Sequence, residues 1–221
     1  MCRPLRLFLL AGLLSSWAQD LSSEKHHILL LENEQVRVYH LTLAPNEATK
    51  LHLHNKPYAY LALQDARISN EAPGHKPTVV DVTTGDVHTS RGGFRLVERN
   101  VGSSSADIIV VEQLREEGTF SDPMASYKVH DTALGALFEQ AGMRAYITRM
   151  AAGGRTEPHA ELHDRLIIAV TDVQLEEQAT GEGSVTLKLK SGDVKWFSKA
   201  ENYALSNAGE TVCSFITFDF P

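Results

Sequence analysis

Apolar and polar positions alternate with a period of two through much of the chain. Residues 36–43 alternate and are rich in β-forming side chains, 51–54 alternate again, and 58–63 form an apolar run suited to a buried strand. Segments 79–82, 94–97 and 107–111 follow, with Gly, Pro, Asn and Asp between them. A second series, at 144–150, 166–170, 185–189, 194–197 and 211–218, has the same character. Short strands separated by turn residues predict an all-β sandwich or barrel architecture. The better of two short helical candidates is 132–140, with Asp131 placed to cap it. Residues 115–130 are polar, contain Gly118, Asp122 and Pro123, and read as a connection.

The two series are one pattern written twice. At an offset of 107 residues, Arg37 meets Arg144, Tyr39 meets Tyr146, Thr49 meets Thr156 and His52 meets His159. Gly85-Asp86-Val87 meets Gly192-Asp193-Val194, and Asn100-x-Gly102 meets Asn207-x-Gly209. No gap is needed from Arg37 to Glu112, and about 15 of 76 positions are identical, roughly three times the chance level, which points to duplication. The identities fall at turn-like and polar positions, so Asp86, Asp193, Asn100 and Asn207 are expected to shape the backbone rather than carry chemistry. The expected organisation is a leader at 1–18, one barrel at 25–114, a linker at 115–131 and a second barrel at 132–221.

Charge and composition narrow the partners. Asp and Glu outnumber Lys and Arg by 28 to 21, and no basic stripe exists for a nucleic acid to follow. The first residues read as an export leader: Arg3 and Arg6, an apolar run from Leu7 to Leu14 far shorter than a membrane span, then Ser16-Trp17-Ala18 before a cut after Ala18. The competing reading is a short N-terminal anchor. The chain is thus expected in the periplasm or secreted, without a membrane span once the leader is removed. Cys2 leaves with the leader, so Cys213 stands alone, and its strand-like setting suits a small buried residue better than a nucleophile. No hydrolase triad, phosphate-binding glycine loop, zinc cysteine cluster or dinucleotide fingerprint is visible.

At this point the sequence resembles the cupin superfamily, and within it the two-barrel bicupins. The first cupin motif, G-x5-H-x-H-x3-4-E-x6-G, is approached by His52-x-His54, with Asn46 at the opening Gly and Tyr58 at the Glu. In the second copy Gly153 and His159 fit, while Glu161 stands at the second His and Arg165 at the Glu. The second motif, G-x5-P-x-G-x2-H-x3-N, keeps Gly85 with Asn100, and Gly192 with Asn207, but its metal-binding His becomes Leu96 and Tyr203. The resemblance implies two jelly-roll barrels in tandem with short helical linker elements. It also implies two degenerate metal sites. Cupins often pair through exposed sheets, so either the barrels pack on each other or the chain forms a homodimer.

His-x-His on a strand sends both imidazoles to one face, because side chains alternate. A carboxylate and a third His would complete a set for a divalent transition metal, Fe, Mn, Ni or Zn. The first copy retains His52 and His54 of such a set, and the second retains His159 with Glu161 as an oxygen ligand. His40, His75 or His88 could supplement the first, and His163 the second. The residues expected to line ligand pockets are His52, His54, Tyr58 and Tyr60 in one barrel and His159, Glu161, Arg165 and Tyr203 in the other. Arg165 would either clamp a carboxylate or pair internally with Glu161 or Asp164. Three functions follow: an exported bicupin binding a small polar or anionic molecule, a metal-dependent dioxygenase or isomerase anchored on His52 and His54, or an interaction module with idle pockets.

Overall fold

The computed structural model describes residues 19–115, 117–179 and 183–221; the expected leader, 1–18, lies outside the described residues. Ten strands come first: β1 (Gln19–Asp20), β2 (His27–Glu32), β3 (Val36–Leu43), β4 (His52–His54), β5 (Tyr58–Ala62), β6 (Ala66–Glu71), β7 (Thr78–Val82), β8 (Val87–Ser90), β9 (Phe94–Asn100) and β10 (Ala106–Gln113). They form two five-stranded sheets, ordered β1-β4-β9-β6-β7 and β2-β3-β10-β5-β8. Between them lies a core containing Leu21, Tyr39, Leu41, Ile68, Ile108 and Val110.

The remaining strands are β11 (Val129–Gln140), β12 (Met143–Thr156), β13 (His159–Glu161), β14 (Asp164–Ala169), β15 (Val173–Ala179), β16 (Val185–Leu189), β17 (Val194–Phe197), β18 (Ala200–Asn207) and β19 (Cys213–Phe220). They join in one sheet, β16-β15-β18-β12-β19-β14-β17, with β11 added to β12 and β13 to β18. The sheet curls because β12 pairs with β19 along residues 144–150 and then reaches β18 at Arg155. Met150, Leu175, Tyr203 and Phe215 fill its interior. The fold is all-β, as the period-two pattern implies.

The third and largest core joins the two halves. Val36, Val38, Ala59, Leu61, Ile109 and Val111 pack with Met143, Ala145, Ile147, Leu166, Ile168, Ile216 and Phe218. Strands β3, β5 and β10 therefore bury apolar side chains on both faces, odd positions of β3 from Tyr39 onward inward and Val36 and Val38 outward. Strand β19 is buried at every residue. This is why Ile108-Ile109-Val110-Val111 and Leu166-Ile167-Ile168 read as continuous apolar runs.

The repeated polar residues do the same work in each half. Asn100 Nδ2 donates to Leu43 O and Ser104 O (2.9 and 2.7 Å), and Asn207 Nδ2 to Met150 O and Thr211 O (3.1 and 2.8 Å). Asp86 accepts from Thr83 N at 2.7 Å, and Asp193 from Lys190 N at 2.8 Å. The opening position of the first motif needs a left-handed backbone in both copies. Gly153 has φ +72° there, and Asn46, one of the few residues with a side chain that adopts this conformation readily, has φ +67°.

One expectation is corrected. Residues 132–140 are not a helix but most of β11, paired along β12. Leu134, Leu137 and Phe138 have helical spacing, yet β12 offers a long ladder and Phe138 packs on the inter-half core. Asp131, expected as a helix cap, has φ +46° and sits at a register shift between His130 and Thr132. The helical linker elements are likewise absent among the described residues, where the only helix is the 3₁₀ turn Leu21–Ser23. Strand β11 also begins at Val129, inside the segment read as linker.

Candidate metal centre

Strand β4 places His52 and His54 side by side in the first half, 0% and 1% exposed. His52 Nδ1 donates to Lys50 O at 2.8 Å, which leaves Nε2 as the bare nitrogen, 2.9 Å from His54 Nε2. Two residues outside the expected motif complete the cluster. His27, the first residue of β2, brings its Nε2 to 3.6 Å from Glu98 Oε2, and Glu98 Oε2 lies 3.6 Å from His52 Nε2. One ligand atom from each of His27, His52, His54 and Glu98 lies within 4.8 Å of the others. Among the described residues, no other group of three or more His, Cys, Asp or Glu side chains converges in this way.

The local sequence explains each placement. Leu96 lies opposite His52 in the β4–β9 ladder, where the resemblance calls for the third His, and it is buried and apolar. Glu98 is two residues further along β9 and so faces the same interior. The Thr49 hydroxyl accepts from Glu98 N at 2.9 Å and fixes that strand beside β4. His27 is held by Glu24, which is 1% exposed and accepts from His27 Nδ1 at 3.1 Å. Glu24 also accepts from His26 N and Lys50 N, at 2.8 and 3.2 Å. Burial opposes the charge on Glu24, but these hydrogen bonds outweigh it and hold the carboxyl well below its usual range. This is the carboxylate–histidine pairing that orients a ligand and raises its basicity.

The donor set fits a transition metal ion. Two of its atoms, His27 Nε2 and Glu98 Oε2, are buried with no hydrogen-bond partner, a costly arrangement unless something lies between them. Ligands at about 2.0–2.2 Å from a common ion stand about 3–4 Å apart, close to the spacings here. Coordination needs neutral imidazole. Burial lowers the His52 pKa, and burial together with His52 and His27 pushes His54 down to about 3.

The other expected residues surround this cluster. The Tyr58 ring stacks on His54, centroids 4.4 Å apart, with Phe94 5.9 Å from the same imidazole. Burial raises the Tyr58 pKa well above its ordinary value, so it stands as a neutral phenol. Tyr60 stacks on His88 at 5.0 Å. His40 is bound to Asp107, and His75 lies at the barrel mouth; neither these nor His88 reaches the cluster. Two cavities meet at Tyr58. Inside, about 30 Å³ is enclosed by Tyr58, Tyr60, Asn70, Val80, Ile108 and Glu98. Outside, an open vestibule of about 600 Å³ is lined by Tyr58, Asn70, His75, Lys76, Phe94 and Leu96.

The second half brings its expected residues together in a different arrangement. His159 Nδ1 donates to Glu157 O at 2.6 Å, and its Nε2 is 2.8 Å from Glu161 Oε1. Arg165 Nη1 donates to the same Glu161 oxygen at 2.9 Å, so its pairing is internal, and its guanidinium lies 4.1 Å from the Tyr203 ring. Tyr127, from the connection, stacks on His159 at 3.9 Å. His163 turns away to Asp122 at 2.7 Å. A buried cation stands where a metal would need an anionic ligand, and the set does not fit an ion. The thiol of Cys213 is buried and free, and burial raises its pKa.

His27 and Glu98 are the two site residues that the motif does not mark. Glu98 was accessible from the period-two rule, being two residues after Leu96 on an inward face. His27 had no such signal, because only the pairing of β2 with β3 brings it over the barrel.

No protein-family model matches the chain, and no curated protein matches it. Solved structures do. An oxalate decarboxylase from Lactobacillus farciminis, solved as a formate complex, superposes with a TM-score of 0.61 at 13% identity, over 85% of this chain and 77% of its own. A Bacillus subtilis oxalate decarboxylase, studied for its Mn(II) centres, gives 0.60 at 11% identity over 85% and 69%. AerE from Microcystis aeruginosa gives 0.61 at 11% identity over 89% and 99%. At these identities the likeness establishes the cupin fold.

Proposed function

We propose that this protein is a metal-dependent cupin whose first barrel holds one divalent transition metal ion through His27, His52, His54 and Glu98, and that its function is exercised there on a small molecule. The observation that carries the reading is the pair of buried, partnerless ligand atoms, His27 Nε2 and Glu98 Oε2, facing the two imidazoles of β4. Three imidazole nitrogens and one carboxylate oxygen suit Mn, Fe, Ni or Zn. Such an ion supplies Lewis acidity, or one-electron chemistry if it is Fe or Mn. The chain's own part is to keep the His52 and His54 imidazoles neutral by burial, to fix His27 through Glu24, and to wall the ligand atoms from water with Tyr58, Phe94 and Leu96. His75 and Lys76 at the vestibule favour a polar or anionic molecule at the mouth.

Two barrels in tandem, with the metal in one of them, is the bicupin form of this proposal. Export rests on the leader-like residues 1–18. Elemental analysis of the full-length protein, grown with Mn, Fe, Ni and Zn supplied, tests the central claim. Roughly one ion per chain is expected, lost on substitution of both His52 and His54 by Ala with the β-rich circular dichroism retained. No bound ion in the unmodified protein, after incubation with each metal at micromolar concentration, overturns it.

A further inference from the structure

The two cavities of the first barrel differ twenty-fold in volume and share Tyr58 and Asn70. The inner one adjoins Glu98 and has room for one or two molecules the size of water. The outer one would take a substrate of ordinary metabolite size. Tyr58 stands between them, 6% exposed, its ring flat against His54 and its hydroxyl bonded to Ser90 of β8. It is held from both ends, by stacking and by hydrogen bonding, where the two cavities share their lining.

We infer that Tyr58 is the size-selecting gate of this barrel: it admits to the inner cavity only molecules of about one to three heavy atoms and keeps carboxylates and larger molecules in the vestibule. The inference rests on the proposed metal centre for its consequence, because what passes the gate is what can reach the ion, but the gate is a property of the chain alone. A molecule held in the vestibule faces Phe94, Asn70, His75 and Lys76, with the Tyr58 ring covering His54 and Leu96 lying opposite His52. The counterpart of Tyr58 in the second barrel is Arg165, which pairs with Glu161 instead.

Two experiments on the full-length protein test this. In the first, Co(II)-loaded protein is titrated with azide and with acetate while the visible ligand-field bands are followed. Azide is expected to shift them and acetate to leave them unchanged, and Tyr58→Ala is expected to bring in an acetate response with at least a tenfold gain in affinity. Equal responses to azide and acetate in the unmodified protein, or no response to azide, overturn the gate. In the second, metal-free protein is treated with diethylpyrocarbonate and the modified histidines are identified by mass spectrometry. His75, exposed at the mouth, serves as the internal control. His54 is expected to resist in the unmodified protein and to react at least tenfold faster in Tyr58→Ala. Equal rates at His54 in the two proteins overturn the gate. If no metal binds at all, the proposed function fails and the reagent experiment still decides. If Tyr58→Ala does not fold, the contrast between azide and acetate in the unmodified protein decides.

Discussion

The two halves share a scaffold and differ in what occupies the same interior positions. Thr49 accepts from Glu98 N in the first, and 107 residues later Thr156 accepts from Leu205 N in the second, both at 2.9 Å. The backbone arrangement is thus repeated while the side chain it presents changes from carboxylate to Leu. The same shift takes His27 to Leu134, His54 to Glu161 and Tyr58 to Arg165, leaving only His52 and His159 alike. The first half has three imidazoles and a carboxyl group converging on one another. The second carries its own cation, with Glu161 neutralising it and Tyr203 covering it. Turn and ladder chemistry is maintained in both, and the candidate metal set is a property of a few interior side chains.

Breaking the internal pair should be the most damaging change. Glu161→Ala leaves Arg165, 2% exposed, without its carboxylate, and is expected to cost about 3–5 kcal/mol in chemical denaturation. Metal content should be unchanged. Losing metal from Glu161→Ala in a still-folded protein would place an ion in the second barrel and erase the contrast.

Removing a metal ligand comes next. His27→Ala and Glu98→Ala should each weaken metal affinity at least about 100-fold, more than an outer-shell change does, as read by competition with a chelator. The matched substitutions Leu134→Ala and Leu205→Ala should not affect metal at all. If His27→Ala binds as tightly as the unmodified protein, the ligand from β2 is wrong and the set reduces to the strand motif.

A smaller effect is expected from Glu24→Gln, which keeps the shape but weakens the hold on His27 Nδ1. About 10–100-fold in metal affinity is the scale for such partners. The smallest effect sharpens the comparison from the other side. Burial opposes ionisation of Asp122, but Arg144 and His163 outweigh it and hold its carboxyl down at about 2. Its ordinary value is near 3.9, so its contribution is complete above about pH 4 and is lost as pH falls toward 2. In an acid titration followed by hydrogen exchange, segment 120–128 and the second barrel should loosen before β4. Asp122→Asn should flatten that part of the titration.

Much of the fold was legible because strands declare themselves locally. The alternation in β3 marks it as a strand, and the unbroken apolar run of β10 reflects burial of both its faces. The turn chemistry of Asn100 and Asn207 could be read from spacing alone. Strand β11 could not, since Leu134 and Phe138 satisfy a helical spacing equally well and only the length of β12 decides. In the site, His52 and His54 were visible because both lie on one three-residue strand. Glu98 lay within reach of the period-two rule from Leu96, whereas His27 did not, because its place depends on which strands pair, and that information is spread over the chain rather than held in any window of it.

The core that joins Val38, Leu61 and Ile109 to Ile147, Ile168 and Phe218 has a thermodynamic consequence. Neither half can open without exposing an apolar sheet face that the other half covers, so the two share one cooperative transition. An ion bound between β2, β4 and β9 stabilises the folded chain in proportion to the logarithm of its concentration over its dissociation constant. That stabilisation is transmitted through the shared sheet faces to the other half. Saturating metal should therefore raise the melting temperature of the whole molecule in a single step, and hydrogen exchange in β14 and β19 should slow along with that in β4.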